Sequence, residues 1–157
     1  MARLIKGKEK GFTLIELVVV VAILGVLIAM AISGITSQMS KARDIQRKSD
    51  LKSIKTSLAL YYNVWGQYPD SDANNRILGC GNPGPVVCTG GNPWTRGTEN
   101  YMKILPSDPG GGDYAYSRSG EDYSIAATLE RTDDPGIADS VAKCGASALG
   151  NYVVCQD

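Results

Sequence analysis

The sequence predicts an α+β chain: a long N-terminal α-helix, its hydrophobic half able to cross a membrane, packed against a small head built on an antiparallel β-sheet. Three observations predict it. From Phe12 to Ser40, twenty-nine residues, the only charge is Glu16. Apolar residues then recur at helical spacing as far as Trp65, with no proline before Pro69. All seven prolines and fourteen of the eighteen glycines lie beyond residue 60, so regular structure there is short and divided by turns. The expected segments are 1–11 as a leader, 12–40 as a hydrophobic helix, 41–66 as its amphipathic continuation and 67–157 as a loop-rich head.

Composition narrows the function. The 157 residues include no histidine, which excludes Ser-His-Asp and Cys-His catalysis and His-ligated metals. A structural or binding role, not an enzyme, is expected. Sixteen basic residues balance sixteen acidic ones, but unevenly: residues 41–60 carry six basic and two acidic groups, and residues 61–157 carry six basic and twelve acidic.

The first eleven residues hold Arg3, Lys6, Lys8 and Lys10 against the single acid Glu9. The apolar stretch from Leu17 to Ile32, extended by 12–15 and Ile35, is long enough for a hydrocarbon core, which takes ~20 residues of helix. A cleaved secretory signal is the alternative, since Ala29-Met30-Ala31 satisfies the A-x-A pattern. Glu16 separates the two readings. A charge inside a membrane segment costs roughly 2.5 to 3.5 kcal/mol, and a secretory signal does not need one. A cut between Gly11 and Phe12 would place a new α-amine one helical turn from Glu16, or beside Glu16 of a neighbouring subunit. At an effective dielectric near 20 such a pair attracts by about 4 kcal/mol, which offsets the insertion cost.

Gly11-Phe12-Thr13-Leu14-Ile15-Glu16, after a basic leader and before an apolar run, resembles the class III signal of type IV pilins and type II secretion pseudopilins. The resemblance covers residues 7 to about 69. It implies cleavage after Gly11 by a prepilin peptidase, N-methylation of Phe12 by the same enzyme, and passage of the subunit from the inner membrane into a helical filament with Glu16 as its assembly charge.

Downstream, Ile45, Leu51, Ile54, Leu58, Tyr61, Tyr62 and Trp65 form the stripe of an amphipathic helix. A continuous helix from Phe12 to Trp65 would be roughly 80 Å long. The charged face (Lys41, Arg43, Asp44, Arg47, Lys48, Asp50, Lys52, Lys55) reads as solvated, with contacts to the acidic head of a neighbouring subunit as the alternative. Gly25 and Ser33-Gly34 weaken the apolar half, where either local opening on assembly or close helix packing fits.

In the head, Tyr114-Ala115-Tyr116-Ser117 and Tyr123 to Glu130 flank the turn Arg118-Ser119-Gly120-Glu121 and predict a hairpin whose core face is Tyr123, Ile125, Ala127 and Leu129. Asn151 to Cys155 supplies a last strand, giving a sheet of three or four strands across the helix. Residues 70–98 read as sparse in regular structure, and Trp94 as a core or loop anchor. Four cysteines beyond residue 79 place the head in an oxidising compartment. They permit three pairings. Sequential pairing is preferred, with Cys144–Cys155 stapling the final strand and Cys80–Cys88 closing a proline-glycine loop.

Leu105-Pro106-Ser107-Asp108-Pro109, followed by Tyr114-Ala115-Tyr116, resembles the corresponding loop of major pseudopilins, and that resemblance implies calcium there. Ser107, Asp108, Asp113 and Asp122 offer oxygen ligands. The chain then continues Asp122-Tyr123-Ser124-Ile125 without the glycine-rich aspartate loop that completes such a site. Turn-forming Asp and Gly are therefore preferred, and neither metal nor cofactor is expected.

The function expected from the resemblance is a structural subunit of a type IV pilus, with a type II secretion pseudopilin as the alternative. Its implied partners are further copies and minor pilins in a filament, the prepilin peptidase, an assembly ATPase and a platform protein. The charge count is at odds with this orientation, because six basic residues follow the span within twenty residues and four precede it. The cysteines and the resemblance favour a single pass through the inner membrane with the head outside, then an extracellular pilus.

Overall fold

The computed structural model of the chain describes residues 11–32 and 35–156. The leader other than Gly11, and Ser33 and Gly34, lie outside the described residues. The expected continuity or opening of the helix at Ser33-Gly34 lies there too. The chain divides into two compact units, Met1–Met39 and Ser40–Asp157.

The described part of the first unit is α1 (Leu14–Ile32), apolar on every face after Glu16, together with residues 11–13 and 35–39. A helix apolar all round belongs in an apolar surrounding, yet Phe12, Leu14, Ile15, Met30 and the valines between are exposed. Among the described residues no helix is long and apolar enough to cross a membrane. Beyond Glu16, α1 offers residues 17–32, about 24 Å at 1.5 Å per residue against a ~30 Å hydrocarbon core. By itself α1 falls short of the span expected over 12–40.

In the second unit, α2 (Ile35–Trp65), from Ser40 onward, is the wall on which the head is built. Leu51, Ile54, Leu58 and Tyr61 are buried at spacings of three and four. The stripe predicted for this helix narrows at its ends. Ile45 is 58% exposed and Tyr62 and Trp65 are about 40% exposed.

The head carries three small antiparallel sheets where one was expected. The first is β1 (Asp70–Ser71), β2 (Ile77–Cys80) and β3 (Val86–Val87), with β2 in the middle. The second is the hairpin of β4 (Trp94–Arg96) and β5 (Glu99–Met102). The third is β6 (Ala115–Ser119), β7 (Asp122–Ala127) and β8 (Tyr152–Cys155), with β7 in the middle.

The first two sheets occupy the segment expected to be sparse, and two interactions organise it. A Cys80–Cys88 disulfide (Cα–Cα 5.3 Å) closes the loop after β2. Trp94 is completely buried and donates from Nε1 to the Gly79 carbonyl at 3.1 Å. Gly79 is required there, since a Cβ would lie 2.8 Å from Pro69 Cβ and 3.3 Å from the Tyr61 ring.

In the third sheet Ser119 pairs with Asp122, so the turn is Gly120-Glu121 with Gly120 at φ +64°, one residue later than predicted. Tyr123, Ile125, Ala127 and Leu129 face the core as the alternation requires. Strand β8 covers β7, pairing Ile125 with Val154 and Ala127 with Tyr152.

A third helix, α3 (Pro135–Cys144), was not anticipated. Its signal stands in the sequence: Asp134 is the N-cap, accepting from Gly136 N at 2.8 Å, Pro135 is the first helical residue and Gly145 ends the helix. Ser140 on α3 accepts from Val153 N at 3.2 Å, and a Cys144–Cys155 disulfide ties the end of α3 to β8. Cys144→Ser with Cys155→Ser is expected to lower unfolding free energy by about 2 to 4 kcal/mol in urea titration. Unreduced peptide mapping should recover 144 and 155 in one linked peptide.

Candidate functional site

The chemistry expected at the N-terminus concentrates on three residues. Gly11 and Phe12 precede the helix, which places their shared peptide bond outside hydrogen-bonded structure. Thr13 caps α1: its carbonyl accepts from Leu17 N at 3.3 Å, and its hydroxyl accepts from Glu16 N at 3.3 Å. Glu16 answers, with Oε2 accepting from the Thr13 backbone N–H and from the Thr13 hydroxyl, both at 2.9 Å. This reciprocal pairing is a capping box, T-x-x-E, a pattern the sequence analysis passed over. The box turns the Glu16 carboxylate back toward Phe12, on a surface shared with Phe12, Ile15, Val19 and Val20. In this state the carboxylate is held by Thr13, not by an amine.

Within the second unit the charged face of α2 is not uniformly solvated. Arg47 and Asp44 are 4% and 2% exposed. Arg47 grips Asp108 with two parallel bonds, Nε to Oδ2 at 2.7 Å and Nη2 to Oδ1 at 2.9 Å. Its Nη1 reaches Asp44 Oδ1 at 2.9 Å and Glu130 Oε1 at 3.0 Å. Asp44 also accepts from the backbone N–H groups of Glu130 and Arg131. Arg43 completes the cluster with two 2.6 Å bonds to Glu130. Residues 108 and 130 come from distant loops, and no helical-face reading could have supplied them as partners.

These contacts set the charge states. The Arg43 N–H groups, helped by Arg47, pull the Glu130 carboxyl down to about 2. Arg47 and the Gly110 N–H hold Asp108 below the usual carboxylate range. Further along α2, Lys48 binds the Asp134 carboxylate and lies 5.4 Å from the Tyr152 ring centre. Asp50 accepts from the Tyr114 hydroxyl at 2.8 Å. Burial and that carboxylate push the phenol of Tyr114 upward.

Of the oxygen ligands expected for calcium, Asp108 and Asp113 line one cleft and Ser107 adjoins Asp113 at Gly90, but the carboxylates are already committed. Both oxygens of Asp108 are taken by Arg47, and Oδ1 receives Gly110 N as well. Asp113 Oδ1 receives Gly90 N at 2.6 Å. Asp122 lines a different cleft, with Ser117, Ser119 and Lys143. Among the described residues no three His, Cys, Asp or Glu side chains are placed to hold a metal ion. The residues present do not fit calcium.

Residues 6–32 match the prokaryotic N-terminal methylation motif, and residues 34–130 match type II secretion system protein G. The chain belongs to the type II secretion system protein G family. Similar curated proteins are the type II secretion system core protein G of Pseudomonas aeruginosa, 34% identical over 118 residues (73% of this chain, 78% of that protein), and of Vibrio cholerae, 32% identical over 120 residues (75% and 77%). That of Escherichia coli K12 is 31% identical over 114 residues (73% and 75%). No solved structure matches the chain significantly. The protein G match takes in Asp44, Arg47, Asp108 and Glu130, whereas α3 and the Cys144–Cys155 bridge lie beyond it.

The ion cluster has a pH consequence. Glu130 and Asp108 have folded-state pKa values below their unfolded ones, so their stabilisation is fully present above the ordinary carboxylate range. It is lost as pH falls from 4.5, the ordinary glutamate value, toward about 2. Thermal melting followed against pH should show Glu130→Gln less stable than the parent chain at neutral pH, with the two curves converging as pH approaches about 2.

Proposed function

We propose that the chain is a pseudopilin of a type II secretion system, a subunit that is processed at Gly11/Phe12 and polymerises through its N-terminal helix. The observation that carries this reading is the protein G match over residues 34–130. The type IV pilus reading rested on the N-terminal signal, which the two classes share; the match to the helix and head favours the secretion alternative.

In this reading a prepilin peptidase removes residues 1–11 and methylates the freed Phe12 amine, helped by a scissile bond that lies outside α1. The apolar α1, with further residues of 12–40, anchors the subunit in the inner membrane, and the disulfide-bonded head lies in the oxidising periplasm. Further copies, minor pseudopilins, an assembly ATPase and a platform protein are the partners. Glu16 is the assembly charge. The amine created at Phe12 competes with Thr13 for its carboxylate, so processing supplies a partner that the uncut chain lacks.

Deleting the gene in its own host should abolish export of secreted proteins while leaving surface pili and twitching motility intact. The reverse outcome supports the pilus reading. Intact-mass analysis of the mature protein should give 146 residues, 157 minus 11, plus one methyl group. Glu16→Val should insert in the membrane as well as the parent chain, because it removes a carboxylate from an apolar segment. It should yield few sheared filaments, because breaking a buried charge pair costs roughly 3 to 5 kcal/mol at each subunit added.

A further inference from the structure

The loop at 105–113 poses a problem that its sequence resemblance would answer with a divalent ion. A loop carrying Asp108 and Asp113 must be drawn against α2, which presents Asp44 at the same place, and Glu130 arrives from a third segment. Three carboxylates in one place repel unless a cation sits among them.

The chain supplies that cation. Arg47 stands at the centre, its guanidinium bonded to Asp44, Asp108 and Glu130 through four contacts of 2.7 to 3.0 Å, with its side chain 5% exposed. The loop backbone closes over it. A Cβ on Gly110 would lie 3.3 Å from Arg47 Nη2 and 2.9 Å from Asp108 Oδ1. A calcium ion needs six to eight oxygens at 2.3–2.6 Å. Here the N–H groups of Arg47 and of residues 90, 110, 130 and 131 already hold those oxygens.

We propose that the Arg47 guanidinium is the resident cation of this head, filling from within the chain the role that the resemblance over 105–116 assigns to calcium, so that the loop closes without a divalent ion. Ion binding would require expulsion of a buried, fork-bonded arginine and would leave its guanidinium without the acceptors that hold it. The inference is independent of the secretion reading, since it concerns only how the head is held closed.

The test uses the full chain in detergent, melted by circular dichroism in excess chelator and across a calcium chloride titration to millimolar concentration. The expected melting temperature is constant within about 1 °C, because a ligand that does not bind cannot stabilise. A saturable rise with calcium, or a fall in chelator, overturns the proposal. Arg47→Gln is expected to melt lower by an amount on the order of 10 °C. Arg47→Lys, which keeps the charge and loses the fork, should fall between the two and gives a readout should the glutamine variant not fold. Either variant melting with the parent chain overturns the proposal.

Discussion

A guanidinium leaves water at a cost of several kcal/mol unless every face of it meets an acceptor, and burying Arg47 imposes that demand on the rest of the head. The acceptors come from three places: Asp44 one turn earlier on α2, Asp108 from the loop before β6 and Glu130 from the segment after β7. Satisfying one side chain therefore fixes where both loops return to the helix. The β6–β7 hairpin lies between these two anchor points. Asp44 extends the constraint to the backbone at 130 and 131, which leads directly to the Asp134 cap of α3.

The other end of the head is organised by aromatic rings. Sheets of two or three short strands are marginal alone, so each needs a common wall. Tyr61 provides it, with Trp94 at 5.9 Å and Tyr101 at 5.1 Å between ring centres. Trp65 donates to the Tyr101 hydroxyl at 2.6 Å, and Tyr116 donates to the Pro69 carbonyl at 2.7 Å. Arg96, the last residue of β4, lies over Trp65 at 3.9 Å and covers the last turn of α2.

What could be read in advance follows from the range of the interaction involved. The period of Leu51, Ile54, Leu58 and Tyr61, and the alternation at Tyr123, Ile125 and Ala127, are local signals and locate α2 and β7 correctly. The cap of α3 at Asp134-Pro135 and the Thr13/Glu16 box are local as well and were open to the same reading. The short strands at 70–102 have no period to detect; they exist because Trp94 and the Cys80–Cys88 bridge pin a chain otherwise made of turns. Burial of Arg47 depends on partners sixty-one and eighty-three residues away, and in sequence it looks like any other charge on a wet helical face.

Both disulfides close short circuits, spanning eight and eleven residues, and each circuit holds most of an exposed loop. Residues 82–86 and 145–146 are exposed, the sort of stretch on which a periplasmic endopeptidase acts. Hydrolysis there does not release a fragment: the new ends remain tethered through sulfur a few residues away, with the strands on either side still paired. A head built this way keeps its covalent integrity through cuts at these two loops, whereas the exposed turns at 97–100 and 119–122 lie outside both circuits and set its lifetime under proteolysis.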